Sequence, residues 1–303
     1  MKRIAALTLL AALLCCANPT GPSPQGTVHK SDGFRLGVAG STFRKYSIDQ
    51  TLESLQRLGI KYLSIKDFWL PLNATVEEMT DFREKCASYG VDPYILGPIY
   101  MSTPEQVEEA FAYAQRYGAE MFIGVPSYDV LDLVVSKVKE TGIKVAIHTH
   151  GPDLPDLFPD IRVVVEKVGD PSLGIGCCID LAHSYRYGQD PAKDIRKYSK
   201  WIWDIHIKDV TLPSKAGVAK EMGRGGMDIP AIVKELKRRV ETAEKKIDEL
   251  QKALDEASAE LFNPTPATDF AEANRKVRTL QFEIDRYTAD WEDAATKLEE
   301  MQA

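Results

Sequence analysis

The sequence predicts an α/β fold, a (β/α) TIM-type barrel followed by a C-terminal coiled-coil hairpin, and two observations support this. From about residue 34 to residue 239, short apolar runs alternate with amphipathic helical stretches, and successive runs start about 24–32 residues apart. That interval is the length of one strand, one helix and two loops. Beyond Gly226 there is no further glycine, cysteine or histidine, and evenly spaced apolar residues stand among charges instead.

Seven apolar runs are the predicted strands, and they cover residues 34–39, 60–65, 91–96, 119–125, 143–147, 173–179 and 201–207. Helix start signals lie between them: Thr75-Val-Glu-Glu78 and Thr103-Pro-Glu-Gln106 both have the capping-box pattern. Glycines stand where four helices should end, at positions 59, 90, 118 and 142. Seven strand–helix units indicate a parallel sheet. Because no dinucleotide-binding fingerprint follows the first strand, a barrel is favoured over a doubly wound sheet, and an eighth strand is missing or replaced.

The N-terminus has the pattern of an export signal. Lys2 and Arg3 precede an apolar run of about eleven residues, which is too short for a transmembrane helix, and Cys15 and Cys16 follow. Residues 1–17 are therefore a predicted signal peptide. Three alternatives stay open: a lipoprotein signal, ordinary cleavage near Ala17, or an uncleaved anchor. Residues 18–33 are a predicted flexible tether. We expect export to the periplasm or cell envelope, with membrane contact only through a lipid anchor or the signal.

The net charge of −7 is concentrated at the C-terminal end. Residues 240–303 contain 16 acidic and 8 basic residues, a balance of −8. Residues 1–239 contain 29 acidic and 30 basic residues, a balance of +1. The chain is not basic, so nucleic acid is not an expected partner. The cysteines beyond the signal are Cys86, Cys177 and Cys178, which form no disulfide framework. The last two could be soft metal ligands, but their place in an apolar run favours core packing.

Imidazole and carboxylate side chains cluster at three successive predicted strand ends. His148-Thr-His150 follows strand five, Asp180-Leu-Ala-His183 follows strand six, and His206-Ile-Lys208 ends strand seven. Because side chains alternate along a strand, His148 and His150 share a face, and so do His206 and Lys208. Parallel barrels collect their chemistry at these ends. Histidine and aspartate ligands that converge there suit a divalent metal ion.

The barrel region resembles the xylose isomerase-like family of sugar (phosphate) isomerases and epimerases, closest to the secreted members of Bacteroidetes-type bacteria. The matching motifs are Ile65-Lys-Asp-Phe68, Gly97-Pro-Ile-Tyr-Met101, Ala146-Ile-His-Thr-His-Gly-Pro152, Ile179-Asp-Leu-Ala-His183, Asp204-Ile-His-Ile-Lys-Asp-Val210 and Gly223-Arg-Gly225 with Asp228-Ile-Pro230. They occur in the family's order over residues 34–239.

The resemblance implies one divalent metal ion, Mn, Co, Mg or Zn, held by residues from strands five to eight. His148 stands at the place of the strand-five ligand, which is Glu in many members. Asp180 and His206 match the ligands of strands six and seven. The strand-eight Glu cannot be assigned, because the resemblance ends near Arg239.

The resemblance also implies the substrate contacts and the chemistry. His183 matches a substrate-binding histidine. His150 and Lys208, each two residues beyond a ligand, should point toward the substrate as candidate catalytic residues, with Lys66 on strand two as a third. The implied reaction is proton abstraction next to a carbonyl, with the metal stabilising an enediolate. A sugar isomerase or epimerase is therefore the expected enzyme, and a keto-sugar lyase or hydratase on the same fold is an alternative.

Residues 240–303 are predicted to form an antiparallel coiled-coil hairpin. Two series of apolar residues, 233–261 and 273–301, repeat at spacings of three and four, and Asn263-Pro-Thr-Pro266 separates them. The hairpin resembles the C-terminal coiled coil of ABC-F ATPases, although the chain has no Walker motif, so no ATPase function follows. A gene fusion or a mis-joined reading frame could produce this arrangement. A further alternative is a catalytically impaired barrel whose coiled coil mediates self-association.

Overall fold

The protein folds as the predicted parallel α/β barrel. The computed structural model describes residues 36–154, 157–262, 269–270, 272–281 and 284. Within them, seven parallel strands form one sheet in chain order, and helices alternate with the strands, so the predicted fold class is confirmed. The predicted signal peptide and tether lie outside the described residues. Among the described residues, no helix has the length and apolar character needed to cross a membrane.

The strands of the barrel pair in parallel, each with the next along the chain. They are β1 (Gly37–Ala39), β2 (Tyr62–Ile65), β3 (Asp92–Met101), β4 (Met121–Pro126), β5 (Lys144–His148), β6 (Ile175–Asp180) and β7 (Ile202–His206). Their alternating side chains separate two regions of core. Ile95, Ile123, Ala146 and Cys178 form a small cluster built from strand residues alone, which fills the barrel interior. The larger cluster lies between the sheet and the helices.

The helices begin and end much as the sequence predicts. They are α1 (Ile48–Leu58), α2 (Val76–Ser88), α3 (Pro104–Tyr117), α4 (Leu131–Thr141), α5 (Ile161–Val168), α6 (Leu181–Arg186), α7 (Pro191–Lys197) and α8 (Ile229–Phe262). The capping box at Thr75 forms completely. At Thr103 the hydroxyl accepts from the Gln106 amide, but the Gln106 side chain accepts from the amide of Ser102 instead of that of Thr103. The predicted box is therefore only half formed there.

The loop after β7 is organised by one buried carboxylate. A hairpin of two short strands, β8 (Asp209–Val210) and β9 (Ala219–Lys220), follows β7. The Asp209 side chain accepts hydrogen bonds from the backbone N–H groups of Val210, Gly223, Gly225 and Met227 at 2.8–3.3 Å. A Cβ on Gly225 would lie 2.1 Å from an Asp209 oxygen, so only glycine fits at that position. Asp209 therefore determines the path of residues 223–227.

An eighth strand would be expected between β7 and β1, and helix α8 passes the β7 edge there. Within the described part of the chain, no strand pairs with the free edges of β1 and β7. Helix α8 is continuous through residue 240, and Arg239 donates from Nη2 to the Ile202 carbonyl on the β7 edge at 3.0 Å. Further along, Leu250 and Leu254 pack with Ile284. The segments 263–268 and 285–303 lie outside the described residues, so the hairpin stays a prediction.

Candidate active site at the carboxyl ends of the strands

Three of the predicted site residues stand at the last positions of neighbouring strands. His148 ends β5, Asp180 ends β6 and His206 ends β7, and Asp180 pairs with His206 in the strand register. The His148 Nε2 atom lies 2.9 Å from His206 Nδ1 and 3.8 Å from an Asp180 oxygen. The structure thus brings together the three residues that the sequence predicts as metal ligands.

Asp180 is a buried carboxylate held from several sides. Its side chain is 2% exposed, and one oxygen accepts from the amides of Ala182 and His183 at the start of α6. The other oxygen accepts from Lys208 Nζ at 2.8 Å. Burial by itself would raise the pKa of Asp180, but the Lys208 amine and the surrounding histidines outweigh it and hold the pKa below its usual range. Asp180 is therefore an anion at neutral pH.

His150 lies beside Tyr100 with one tautomer selected by its hydrogen bonds. Its Nδ1 is 3.1 Å from the carbonyl oxygen of His148, which can only accept, so Nδ1 carries the proton. The Nε2 lone pair faces the Tyr100 hydroxyl at 3.1 Å. Burial lowers the pKa of His150 and raises that of Tyr100. The ring is therefore neutral at pH 7 and presents a lone pair on Nε2.

His183 connects α6 with the strand ends. Its Nε2 lies 3.2 Å from Lys208 Nζ, and its ring stacks on that of His150 with a centroid distance of 6.4 Å. Burial lowers the pKa of His183 to about 4, with Asp180 opposing the shift and Lys208 adding to it. Gly151 has a positive φ of 64°, and a Cβ there would lie 2.8 Å from the Cβ of His183. A glycine is thus required where the β5 loop crosses His183.

His148 is the most enclosed histidine of the cluster. Burial lowers its pKa well below the ordinary value, and the neighbouring His206 adds to the shift while Asp180 opposes it. Its Nδ1 atom is buried and has no hydrogen-bond partner among the residues that the structure describes. His148 is consequently neutral at pH 7, the form in which an imidazole ligates a metal.

Lys66, the third predicted catalytic residue, makes its contacts elsewhere. Its amine donates to the Pro98 carbonyl at 2.8 Å and lies 3.7 Å from an Asp67 oxygen. Burial lowers the pKa of Lys66, and Asp67 partly offsets this. Among the contacts of the described residues, none joins Lys66 directly to His150 or Lys208, so its catalytic role stays a prediction.

Two polar residues inside the barrel were not predicted as site residues. Cys178 precedes Asp180 by two positions on β6, and Asp204 precedes His206 by two on β7. The Cys178 thiol donates to an Asp204 oxygen at 3.4 Å. Strand alternation alone places these pairs on the same faces, and that signal could have identified both residues.

The donor set at this edge fits a divalent metal ion. Two imidazole nitrogens, a carboxylate and a thiol come from three successive strands, and the donor atoms of His148, Cys178 and His206 all lie within 4.8 Å of one another. Imidazole nitrogens and a sulfur so close together are donors of the kind that can hold a divalent metal ion.

The fold and this cluster define an α/β barrel with a polar site at the carboxyl ends of its strands. The sequence model of the family described as xylose isomerase-like TIM barrel matches residues 47–240, and the chain belongs to this family. No protein with a curated description matches the chain with significant similarity.

Several solved structures share the fold. One, from Parabacteroides distasonis, is 28% identical, with a TM-score of 0.52, over 68% of this chain and 86% of that one. The IolI protein with a zinc atom is 15% identical, with a TM-score of 0.54, over 86% of this chain and 99% of that one. The 3-keto-D-glucoside 4-epimerase YcjR of E. coli is 12% identical, with a TM-score of 0.51, over 68% of this chain and 88% of that one. At 15% and 12% identity, the second and third show a common fold.

Proposed function

We propose that this protein is a metal-dependent sugar isomerase or epimerase that moves a proton next to a carbonyl group. The observation that carries the proposal is the convergence of His148, Asp180 and His206 at the carboxyl ends of three neighbouring strands. Active sites of such barrels lie at these ends. Membership of the xylose isomerase-like family supports the substrate class, and one fold relative is named an epimerase.

In this proposal His148, Asp180 and His206 hold the divalent ion. When bound, the ion would polarise the substrate carbonyl and stabilise the negative charge that develops on its oxygen. The hydrogen bonds that Asp180 accepts from the amides of Ala182 and His183 orient its carboxylate toward His148. Such supporting contacts are typical of metal ligands.

His150 is the proposed base. Its Nδ1 proton is engaged by the His148 carbonyl, its Nε2 lone pair accepts from the Tyr100 hydroxyl until the substrate takes that place, and its lowered pKa keeps it neutral at pH 7. Lys208, whose side chain is 43% exposed next to Asp180, would place its ammonium against a substrate oxygen. His183 is the proposed substrate contact. Lys66 is given no step, because its amine donates to the Pro98 carbonyl.

Deuterium exchange tests the proposal whatever the final product of the reaction is. Keto-sugars and their phosphates are incubated with the protein and Mn²⁺, Co²⁺ or Zn²⁺ in D₂O, and loss of the proton signal next to the carbonyl is followed by NMR. We expect exchange on at least one sugar and its loss in His150→Gln, since glutamine cannot take up the proton. Exchange followed by loss of water or C–C cleavage would instead favour the lyase or hydratase alternative.

Two lysines at strand ends give a matched comparison. Lys208→Met should lower the exchange rate by about 100-fold or more, as expected when a charged group in direct contact with the reacting atoms is removed. Lys66→Met should retain most of the exchange, because Lys66 is held by Pro98. No exchange on any sugar with any of the three ions would contradict the proposed function.

We also propose that the protein is exported, by the N-terminal signal predicted from the sequence, and that its small-molecule partner is a sugar or keto-sugar. Lipid anchoring and self-association through the coiled coil stay predictions. The segments on which they depend lie partly or wholly outside the described residues.

A further inference from the structure

Strand β6 carries two adjacent cysteines that face opposite sides of the sheet. Cys177 packs in the large core between strands and helices, whereas Cys178 belongs to the small cluster inside the barrel. Both side chains are completely buried. Only Cys178 therefore shares a face with Asp180, the last residue of the strand, and lies beneath the histidines.

The surroundings of Cys178 are those of a ligand and not only of a packing residue. Its sulfur and the ring nitrogens of His148 and His206 all lie within 4.8 Å of one another. The Asp204 carboxylate accepts a hydrogen bond from the Cys178 thiol at 3.4 Å. Asp204 is only 4% exposed and lies inside the barrel. A carboxyl group therefore lies beneath the two histidines and the thiol, where it can accept the thiol proton.

We propose that Cys178 is a sulfur ligand of the metal ion, together with His148, His206 and Asp180, and that this site therefore prefers zinc or cobalt to magnesium or manganese. The inference rests on the metal site of the proposed function and names one more of its ligands. Thiolate is a soft ligand that zinc and cobalt accept readily, whereas Mg²⁺ and Mn²⁺ favour oxygen donors.

For the two histidines and Cys178, the geometry requires only small side-chain movements. Zinc–nitrogen bonds of about 2.0–2.1 Å and zinc–sulfur bonds of about 2.3 Å place tetrahedral donors about 3.5 Å apart. The histidine nitrogens, now 2.9 Å apart, would separate slightly, and the sulfur, within 4.8 Å of both, would approach. The Asp180 oxygen that lies 3.8 Å from His148 now accepts from Lys208 Nζ and stands outside the group of three mutually close donors, so it would have to approach the ion as the oxygen donor. Four protein donors thus arise from three strands, without an eighth.

Metal binding must remove the thiol proton. Burial raises the pKa of Cys178 well above its usual value, and Asp204 adds to the effect, so the free protein holds a thiol. On binding, the S–H bond breaks and a sulfur–metal bond forms. The proton passes to the Asp204 carboxylate that already accepts the hydrogen bond, or from there to solvent. No electron is transferred.

Cobalt substitution tests the ligand directly. Co²⁺ is added to the metal-free full chain, and the near-ultraviolet spectrum is recorded for a sulfur-to-cobalt charge-transfer band. We expect the band in the wild-type protein and in Cys177→Ala, and its absence in Cys178→Ala. Cys177 is the matched control because it is adjacent and equally buried but faces the other core. Circular dichroism verifies folding, and Cys178→Ser, which keeps the size of the side chain, replaces Cys178→Ala if that variant does not fold.

Zinc affinity provides a second measurement. Chelator competition should show a loss of more than about 100-fold in Cys178→Ala, since removal of a group that merely orients a ligand typically costs about 10- to 100-fold. Cobalt binding without the charge-transfer band would overturn the sulfur ligand and leave the proposed function standing. If the band forms but the protein exchanges no sugar proton, Cys178 stands as a metal ligand and the proposed function is contradicted. No cobalt binding would overturn both the ligand and the metal site.

Discussion

Acidification should destabilise the metal-free protein through His183. The folded pKa of this histidine is about 4, compared with 6.5 for an ordinary histidine, because the ring is buried next to the Lys208 amine. As the pH falls, the unfolded chain therefore binds the proton before the folded protein does. The stability associated with neutral His183 is fully present above pH 6.5 and is lost as the pH falls toward about 4.

The size of this effect follows from the two pKa values. The interval between 6.5 and about 4, at about 1.4 kcal/mol per pH unit, gives about 3 kcal/mol. The His183 side chain is only 15% exposed, so solvent screens the interaction little. We therefore expect the wild-type protein to lose about 3 kcal/mol more than His183→Gln between pH 7 and pH 4, because glutamine does not titrate.

Urea unfolding at pH 7, 6, 5 and 4, with EDTA present to remove metals, measures this difference. Lys208→Met is the informative control, since removal of the amine should raise the pKa of His183 and reduce the dependence on pH. If wild type and His183→Gln lose equal free energy over this range, the assignment of His183 as a buried neutral imidazole is refuted.

Three further predictions concern the residues around the site. In a double-mutant cycle of Lys208→Met and Asp180→Asn, urea unfolding should give a coupling of about 1–2 kcal/mol, because the pair is hydrogen-bonded but Lys208 is partly exposed; additive effects would contradict this. Gly151→Ala should cost about 1–3 kcal/mol in the same assay through its positive φ and the clash with His183, and an unchanged midpoint would argue against that contact. Asp209→Ala should cost about 3–5 kcal/mol, because it leaves backbone N–H groups unpaired, and proteolysis should then cut residues 211–227 faster; resistance equal to wild type would exclude the bracing effect.

Much of the fold could be predicted from local patterns. Apolar runs about one strand–helix unit apart, the capping residue Thr75 and the C-terminal glycines 59, 118 and 142 determine where elements begin and end. These signals are local, because a cap or an apolar run depends on neighbouring residues only. The capping box at Thr103 is the exception, because the Gln106 side chain accepts from the nearby amide of Ser102 and not from that of Thr103.

The site was predictable to the level of strand ends and no further. Position on a strand shows that His148, Asp180 and His206 lie at one edge, but it does not show which atoms meet. The structure joins Lys208 to Asp180 and His183, pairs His150 with Tyr100, and directs Lys66 to the Pro98 carbonyl. These contacts span about 25–50 residues of sequence and depend on strand register and side-chain rotamers.

By itself, the sequence determined a seven-unit parallel barrel, the edge at which its histidines and carboxylates gather, and the change in composition near residue 240. Periodicity and residue type are sufficient for these features, because they follow from the repeat of the backbone. Only the tertiary structure decided that the Cys178 thiol meets Asp204 and lies within 4.8 Å of two histidine nitrogens, and that the Lys66 amine donates to the Pro98 carbonyl. The physical reason is that an interior site is assembled across strands, where separations of a few ångströms depend on packing of the whole barrel.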